Sequence, residues 1–272
     1  MPTKYEVENG DCCQAFAASY DLSNLPAMLE IERSVLGCDY GGTSWTTRTQ
    51  ATQIVAALDL QPGVHVLDIG SGSGWPGLYL ADASGCEVTL LDLPLNALAI
   101  ARKRAQSEGM QDRVSTIAAS GSALPLGNAS FATITHSDVL CCMPEKIDML
   151  EECRRVASAN ARMLFCVIAV APNLPEDQRL RALETGPPFV DAPGEYADLL
   201  PQSGWRVLEQ VDCTPEYRCS LSALVEALDD SAALAAELGE AAVTEACAHR
   251  QRQIAAIDAG LLVRENFLAL AA

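Results

Sequence analysis

The sequence predicts an α/β protein built on a mixed sheet with helices on both faces. Short apolar runs alternate with helical patterns through the middle of the chain, and strands buried in a parallel sheet read as near-continuous apolar runs. After residue 200 two more strand patterns follow, and helical stretches join them in place of strand–helix units. This ending suggests that the sheet is finished by an antiparallel edge. At 272 residues the chain is long enough to bury one large core.

The predicted elements follow from these patterns in chain order. The first 60 residues read as helical at 24–37 and 47–60, on either side of a glycine-bearing loop. The core then alternates strand and helix, with a loop or single turn at 124–130. Strands are predicted at 64–69, 87–92, 114–119, 131–136, 163–170, 205–212 and 260–270, and helices at 76–83, 94–108, 145–158 and, as two stretches, 220–258.

The composition changes after residue 171. The segment 172–204 is rich in proline and glycine and holds one or two short helical patterns, so we interpret it as an insertion. No repeat and no low-complexity linker interrupts the chain. We therefore predict one domain, in which residues 1–60 form an N-terminal helical cap and residues 61–272 form the core.

The charge balance excludes some partners. Eighteen basic and 36 acidic residues leave a formal charge of −18, and such a surface repels nucleic-acid phosphates and acidic membranes. No apolar run reaches the roughly 18 to 20 residues that cross a bilayer, and the N-terminus lacks a basic-then-apolar export signal. We predict a cytoplasmic protein with no nucleic-acid or membrane partner, and we make no prediction of its oligomeric state.

Eleven cysteines are scattered through the chain without a C-x-x-C pair. In a reducing cytosol most such residues act as small apolar fillers. The doublets Cys12–Cys13 and Cys141–Cys142 are conceivable ligands for a soft metal, but adjacent cysteines point in different directions on a helix or strand. We predict packing roles and no metal site.

A glycine-rich loop, "GSGSGWPG" at 70–77, directly follows the first strand. Read from Gly72 it is the G-x-G-x-x-G pattern of dinucleotide-binding proteins, with Gly72, Gly74 and Gly77 in place. This interpretation gives Gly70 no role, and it places the Asp68 carboxylate where it would repel the pyrophosphate of a dinucleotide. A carboxylate at this position instead attracts a ligand that carries an amine and a sulfonium, so the loop favours a cationic ligand.

The stretch "VLDIGSGSG" at 66–74 resembles the first motif of the class I S-adenosylmethionine-dependent methyltransferases. Four further stretches fall where that family places its motifs: "VTLLDLP", "ASGSALPLGNASFATI", "MLEECRRV" and, near the N-terminus, "ASYD". The resemblance runs from about Ser19 to the C-terminus. It implies a Rossmann-like sheet of seven strands whose last strand is antiparallel, with S-adenosylmethionine as the methyl donor.

The resemblance also implies the residues of a cofactor site. Asp92 is expected to take the ribose hydroxyls, and the loop at 119–122 is expected to frame the adenine. Ser120 replaces the acidic residue of many relatives, and Ala132 replaces another, which weakens the adenine assignment. Tyr20, Tyr40 and Trp45 are expected either to close the cap over the methionine end or to pack in the core. The full set of expected cofactor residues is Asp68, Gly70, Ser71, Gly72, Gly74, Asp92, Leu93, Ser120, Gly121, Ser122, Tyr20, Tyr40 and Trp45.

Methyl transfer from a sulfonium is an in-line displacement that needs alignment and exclusion of water, and it needs a base only when the acceptor must lose a proton. His136 lies beside the methyl group in the family architecture and is the candidate base, with Asp138 second. The alternative is that the His136 ring only packs. "GPPF" at 186–189 is interpreted as a turn in the acceptor cover.

The predicted function is methylation of an oxygen or nitrogen of a small, partly hydrophobic metabolite such as a natural-product intermediate. The acceptor is expected between the cap, the loop after the fourth strand and the insertion at 172–204, with its choice also set by the helices at 220–258. Two alternatives stay open: an NAD(P)-dependent oxidoreductase that uses 72–77, and a non-catalytic methyltransferase-like subunit.

Overall fold

A computed structural model of the chain describes residues 12–272. Seven strands form one sheet: β1 (His65–Ile69), β2 (Glu87–Asp92), β3 (Val114–Ala118), β4 (Phe131–Ser137), β5 (Ala157–Val170), β6 (Trp205–Asp212) and β7 (Leu262–Ala271). Their order across the sheet is β3-β2-β1-β4-β5-β7-β6. Strands β1 to β5 pair in parallel, while β7 is antiparallel to both β5 and β6. The predicted mixed sheet is confirmed. The antiparallel strand β7 lies one position inside the edge, because it inserts between β5 and β6.

Eleven α-helices and one 3₁₀ turn lie around the sheet within the described residues. The α-helices are α1 (Cys12–Ser23), α2 (Pro26–Leu36), α3 (Arg48–Ala57), α4 (Gly77–Ser84), α5 (Leu95–Ser107), α6 (Lys146–Val156), α7 (Glu176–Thr185), α8 (Tyr196–Gln202), α9 (Thr214–Asp229), α10 (Ala232–Leu238) and α11 (Glu240–Asp258). The 3₁₀ turn spans Leu140–Cys142. Helix α1 carries no separate prediction, and the stretch predicted as two helices at 220–258 is three.

Two neighbouring residues of β1 show that helices cover both faces of the sheet. The Asp68 carboxylate accepts a hydrogen bond from the backbone N–H of Gly77, at the start of α4. On the other face, Ile69 lies beside Gly121, and Gly121 in turn lies beside Met149 of α6. Because successive side chains of a strand point to opposite faces, α4 and α6 cover opposite sides.

The N-terminal helix α2 is packed by C-terminal helices. A second apolar cluster, separate from the main core, joins α2 to α9, α10 and α11. The cap therefore rests on the end of the chain as well as on the sheet. Residues 1–11 and the side chain of Cys12 lie outside the described part of the chain. The predicted start of the cap, and the N-terminal sequence in which no export signal was found, are among them. None of the described helices is long and apolar enough to span a membrane.

A buried ion pair links the cap, the end of β4 and β7. Arg264, on β7, is completely buried. Its guanidinium donates from Nε to Asp138 Oδ1 at 2.9 Å and from Nη2 to Asp138 Oδ2 at 3.1 Å. Asp138 also accepts from the backbone N–H of Trp45 at 2.9 Å and from Ser44 Oγ at 3.1 Å. Arg264 further donates to Gln50 Oε1 and Thr46 Oγ1 at 3.3 and 3.2 Å.

The strand order places a crevice beside this pair. Strand order reverses between β1 and β4, so the connections after these strands run in opposite directions. In open α/β sheets a ligand binds outside the carboxyl ends of the strands at such a point. The loops that follow β1 and β4 therefore become the first place to look for a site.

We expect Arg264→Met to cost about 3–5 kcal/mol of unfolding free energy, because it leaves the Asp138 carboxylate buried without its cation. Urea denaturation of the full chain measures the change. Arg252→Met is the control, since the Arg252–Glu245 pair is exposed on α11 and such pairs contribute about 0–1 kcal/mol. Equal losses for the two variants would contradict the anchoring role of the buried pair.

Candidate functional site

A cavity of about 380 Å³ opens at the carboxyl ends of β1, β2 and β4. Its volume lies in the range of small-molecule sites. One half is lined by the loop after β1, the end of β2 and the loop after β3, with Gly70, Asp92, Leu93, Ser120, Gly121 and Ser122 among its residues. The other half is lined by α1, by Thr43 and Ser44, by the segment after β4 and by Phe189.

The glycine loop lies at the cavity, where Gly70 is one of the lining residues and Gly72 is not. Gly70 adopts φ +65°, and a Cβ at this position would collide with the Val139 side chain. Gly72 adopts φ +53°, and a Cβ there would collide with the Tyr20 hydroxyl. Glycine is the residue that tolerates both the left-handed backbone and the close approach. The backbone of the loop is therefore in close contact with the side chains of Val139 and Tyr20.

Asp92 offers a hydrogen-bonding carboxylate to the same half of the cavity. Its Oδ2 accepts from the Gly72 N–H at 2.6 Å, and its Oδ1 accepts from the Leu93 N–H at 2.7 Å. Burial raises the pKa of Asp92 to about 6. Each carboxylate oxygen accepts more than one hydrogen bond. The side chain can therefore take two further hydroxyl donors, which fits a ribose diol.

The loop at 119–122, after β3, is ordered by its own serines. The Ser120 and Ser122 hydroxyls lie 2.8 Å apart, and the Ser122 N–H donates to Ser120 Oγ at 3.2 Å. Gly121 packs against Ile69 and Met149 beneath the loop. All three residues line the cavity, as does Leu93.

Asp68, Ser71 and Gly74 have positions different from those expected of ligand contacts. The Asp68 carboxylate is buried, does not line the cavity, and accepts from the Gly77 N–H at 3.1 Å. Burial raises the pKa of Asp68 to about 8. Ser71 is also buried off the cavity, and Gly74 faces Leu78 and Ala101. The expectation that Asp68 faces a cationic ligand is therefore corrected: this carboxylate holds the start of α4.

Of the three aromatic residues expected over the cofactor, Tyr20 alone lines the cavity. Its hydroxyl accepts a hydrogen bond from Thr43 Oγ1 at 3.3 Å. Tyr40 instead packs against Trp75, 5.0 Å between ring centroids, beneath the Arg104 guanidinium. Trp45 packs against Tyr217 at 5.2 Å. The packing alternative therefore holds for Tyr40 and Trp45.

His136 is buried in the core, and its expected role as a base is corrected on that ground. The ring stacks on Phe165 with 4.5 Å between centroids, is completely buried, and does not line the cavity. Neither ring nitrogen has a hydrogen-bond partner among the described residues. Burial lowers the pKa of His136 to about 3. A ring without contact to the cavity cannot remove a proton from a molecule held there.

Asp138, the second candidate base, does line the cavity. Both of its oxygens accept from Arg264, and one also accepts from Trp45 and Ser44. Both carboxylate oxygens are thus already bonded to donors from β7 and from the cap. Asp138 therefore fits an anchoring role.

The thiols beside the cavity form no recognisable metal centre. Cys141 is buried and its Sγ donates to the Asp138 carbonyl at 3.3 Å, whereas Cys13 and Cys142 line the cavity. Across residues 12–272 no group of three or more His, Cys, Asp or Glu side chains is arranged to hold a metal ion.

Several lining residues were not predicted. Cys13 and Phe16 were missed, although they are spaced by three and four residues from each other and from the predicted Tyr20, so the three share one face of α1. This spacing is a signal that the sequence contains. Phe189, from the predicted turn at 186–189, reaches the cavity, whereas no described residue beyond 189 does so. Leu224 and Arg250, within the helices predicted at 220–258, line a neighbouring pocket that shares Thr43 and Ser44 with this cavity.

Comparison with known proteins shows that this chain is similar to methyltransferases. The family description "Methyltransferase domain" matches residues 66–160. "Methyltransferase GfsG" of Streptomyces halstedii is 30% identical over 198 residues, which are 71% of this chain and 70% of that protein. "(+)-O-methylkolavelool synthase" of Herpetosiphon aurantiacus is 28% identical over 57% of this chain, and the match spans only 55% of that protein.

A solved structure of phosphoethanolamine N-methyltransferase 2 from Haemonchus contortus, in complex with phosphomonomethylethanolamine and S-adenosylhomocysteine, shares the fold. Its TM-score is 0.77 with 18% identity, and the match covers 94% of this chain and 59% of that chain.

We expect His136→Phe to keep its stability at pH 7 within about 1 kcal/mol, because the ring stack is retained and no hydrogen bond is lost. The folded pKa of about 3 lies below the unfolded value of about 6.5, so the wild type loses stability as the pH falls from 6.5 towards 3. At pH 5 the variant should therefore lose about 2 kcal/mol less than the wild type. Urea denaturation at pH 7 and pH 5 measures this, and parallel losses would contradict the buried, neutral state of the ring.

Proposed function

We propose, on the premise that the chain belongs to the class I S-adenosylmethionine-dependent methyltransferases, that it methylates an oxygen or nitrogen of a small, partly hydrophobic metabolite. The enzyme uses S-adenosylmethionine as its methyl donor. The observation that carries the proposal is the cavity with two unlike halves: a backbone-and-carboxylate half at Gly70 and Asp92 that continues into an apolar half at α1, Met143 and Phe189.

The chemistry of the lining supports an acceptor without negative charge. Among the described residues no lysine, arginine or histidine lines the cavity, whereas Asp92, Asp138 and Glu145 do. A phosphate or carboxylate acceptor would meet no cation there. Phe16, Met143, Pro144 and Phe189 supply apolar surface for a hydrophobic body.

The residue roles in this proposal follow the two halves. Asp92 would hold the ribose, Ser120, Gly121 and Ser122 would frame the adenine, and Gly70 and Tyr20 would face the methionine end. When bound, S-adenosylmethionine supplies a methyl group already activated on a positively charged sulfur. The protein's part is alignment and exclusion of water, and alignment alone can supply about 7–11 kcal/mol. We assign no proton transfer to His136.

The domain assignment remains part of the proposal. Residues 1–60 would form a cap within the same domain as the core at 61–272, and the ion pair between Arg264 and Asp138 supports this because it binds the segment at 44–46 to the sheet. The insertion at 172–204 would cover the acceptor, which the position of Phe189 supports. The charge of −18 supports the absence of a nucleic-acid partner, and a cytoplasmic location stays a prediction.

The dinucleotide alternative has no support in this geometry. The Asp68 carboxylate occupies the position beside Gly77, where a pyrophosphate on the helix N-terminus would need to lie. The position of this carboxylate disfavours an NAD(P)-dependent oxidoreductase built on 72–77.

The test of the proposed function is incubation of the full chain with methyl-labelled S-adenosylmethionine and a fractionated metabolite extract. We expect label in an uncharged, partly apolar compound, with a mass gain of one CH₂ by mass spectrometry. Label confined to phosphorylated or carboxylated compounds would contradict the acceptor class, and no transfer to any fraction would contradict the proposal.

We expect Asp92→Asn to weaken S-adenosylhomocysteine binding about 10- to 100-fold at pH 7.5, because hydrogen bonds to a charged group are worth about 1.5–3 kcal/mol. Isothermal calorimetry measures the affinity. Glu87→Gln, at the exposed start of the same strand, is the matched control and should bind like the wild type.

The same pair of proteins tests the state of the Asp92 carboxylate. With a pKa of about 6, protonation at pH 5 should weaken wild-type binding about ten-fold relative to pH 7.5. The Asn variant lacks this group, so its affinity should vary little over the same range. An equal pH dependence in both proteins would remove the assignment of Asp92 as the titrating ligand.

A further inference from the structure

Lys146 is one of the largest buried side chains among the described residues, with 2% of its surface exposed. Its amine donates to the Met143 carbonyl at 2.7 Å and to the Phe189 carbonyl at 2.6 Å. Both acceptors are backbone carbonyls rather than carboxylates, and burial lowers the pKa of the amine. Removing an ammonium group from water costs free energy unless the group is hydrogen-bonded. The two hydrogen bonds of Lys146 therefore offset the cost of its burial.

The two carbonyls belong to the two chain segments that form the apolar wall of the cavity. Met143 lies in the segment after β4, and Phe189 lies in the insertion, 43 residues further along the chain than Lys146. The Phe189 N–H donates to the Cys141 carbonyl at 3.1 Å, and the turn is closed by a bond from the Val190 N–H to the Pro187 carbonyl at 3.1 Å. Both backbone groups of Phe189 are therefore held by the segment at 141–146.

We propose that Lys146 is a positioning residue for the methyl acceptor: its amine fixes the Phe189 turn against the 141–143 segment and so sets the position of the acceptor wall. This inference rests on the proposed function. It assigns Lys146 no contact with the backbone-and-carboxylate half of the cavity, since the hydrogen bonds of its amine go to Met143 and Phe189. The effect on the acceptor is transmitted through the backbone and ring of Phe189.

Hydrogen exchange of the full chain, saturated with S-adenosylhomocysteine, gives a test that needs no acceptor. Lys146→Met keeps the stem and removes the donors, and we expect about ten-fold faster exchange of amides in 186–192, with S-adenosylhomocysteine affinity within about two-fold of the wild type. Lys103→Met, at an exposed position of α5, is the control and should leave both unchanged. Unchanged exchange at 186–192 in Lys146→Met would overturn the proposal.

The acceptor purified in the labelling experiment gives the second test. Lys146→Met should raise the acceptor KM about ten-fold with a smaller change in kcat, and Phe189→Ala, which keeps the bonded carbonyl, should raise it to a similar extent even if Lys146→Met does not fold. Lys146→Met combined with Phe189→Ala should raise KM no further than Phe189→Ala alone. An unchanged KM in Phe189→Ala, or additive effects in the double variant, would overturn the proposal. Failure to find any acceptor would count against the proposed function, while the exchange result would still decide whether Lys146 holds the turn.

Discussion

The structure depends on a buried pair of opposite charges, Asp138 and Arg264, that are 126 positions apart in the chain. Arg264 is on β7, the strand that separates β5 from β6, and Asp138 directly follows β4. A pair removed from water is costly unless every donor and acceptor is bonded. Here Asp138 accepts its remaining hydrogen bonds from the Ser44 hydroxyl and the Trp45 backbone N–H. Arg264 donates its remaining hydrogen bonds to the side chains of Thr46 and Gln50. The desolvated pair thus requires the cap segment to lie where it does.

This requirement has a consequence for the cavity. Ser44 and Asp138 both line it, so the same bonds that satisfy Arg264 also bring the cap to the rim of the site. Asp138 adopts φ +59°, a left-handed conformation that aspartate tolerates better than most residues. The turn after β4 therefore directs the following residues across the cavity mouth. Asp138 lines the cavity and Arg264 does not, so the guanidinium neutralises the carboxylate from the side away from the cavity. The electric field of Asp138 in the cavity is therefore weakened.

Periodicity predicted the strands well, because buried parallel strands need continuous apolar runs and few other segments of this chain contain them. The family resemblance, rather than periodicity, pointed to Asp92 and the serine loop, and both line the cavity. The sequence left two alternatives open for His136, Tyr40 and Trp45, because the choice between them depends on the direction of a side chain. His136 lies within β4 rather than after it, and its face is decided by pairing with Phe165 on β5. The contacts of Arg264 and Lys146 could not be predicted from the sequence either, because both side chains join segments that are far apart in the chain.

The segment from 138 to 146 is held at its two ends by buried charges of opposite sign. At one end Asp138 is bound to Arg264 and the cap, and at the other Lys146 is bound to Met143 and to the insertion through Phe189. Val139, Cys142 and Met143 line the cavity between these anchors. An enzyme that works by alignment needs walls that do not move during the reaction, and buried charged groups resist movement because every displaced bond leaves a desolvated charge. The two anchors therefore fix this wall of the cavity at both of its ends.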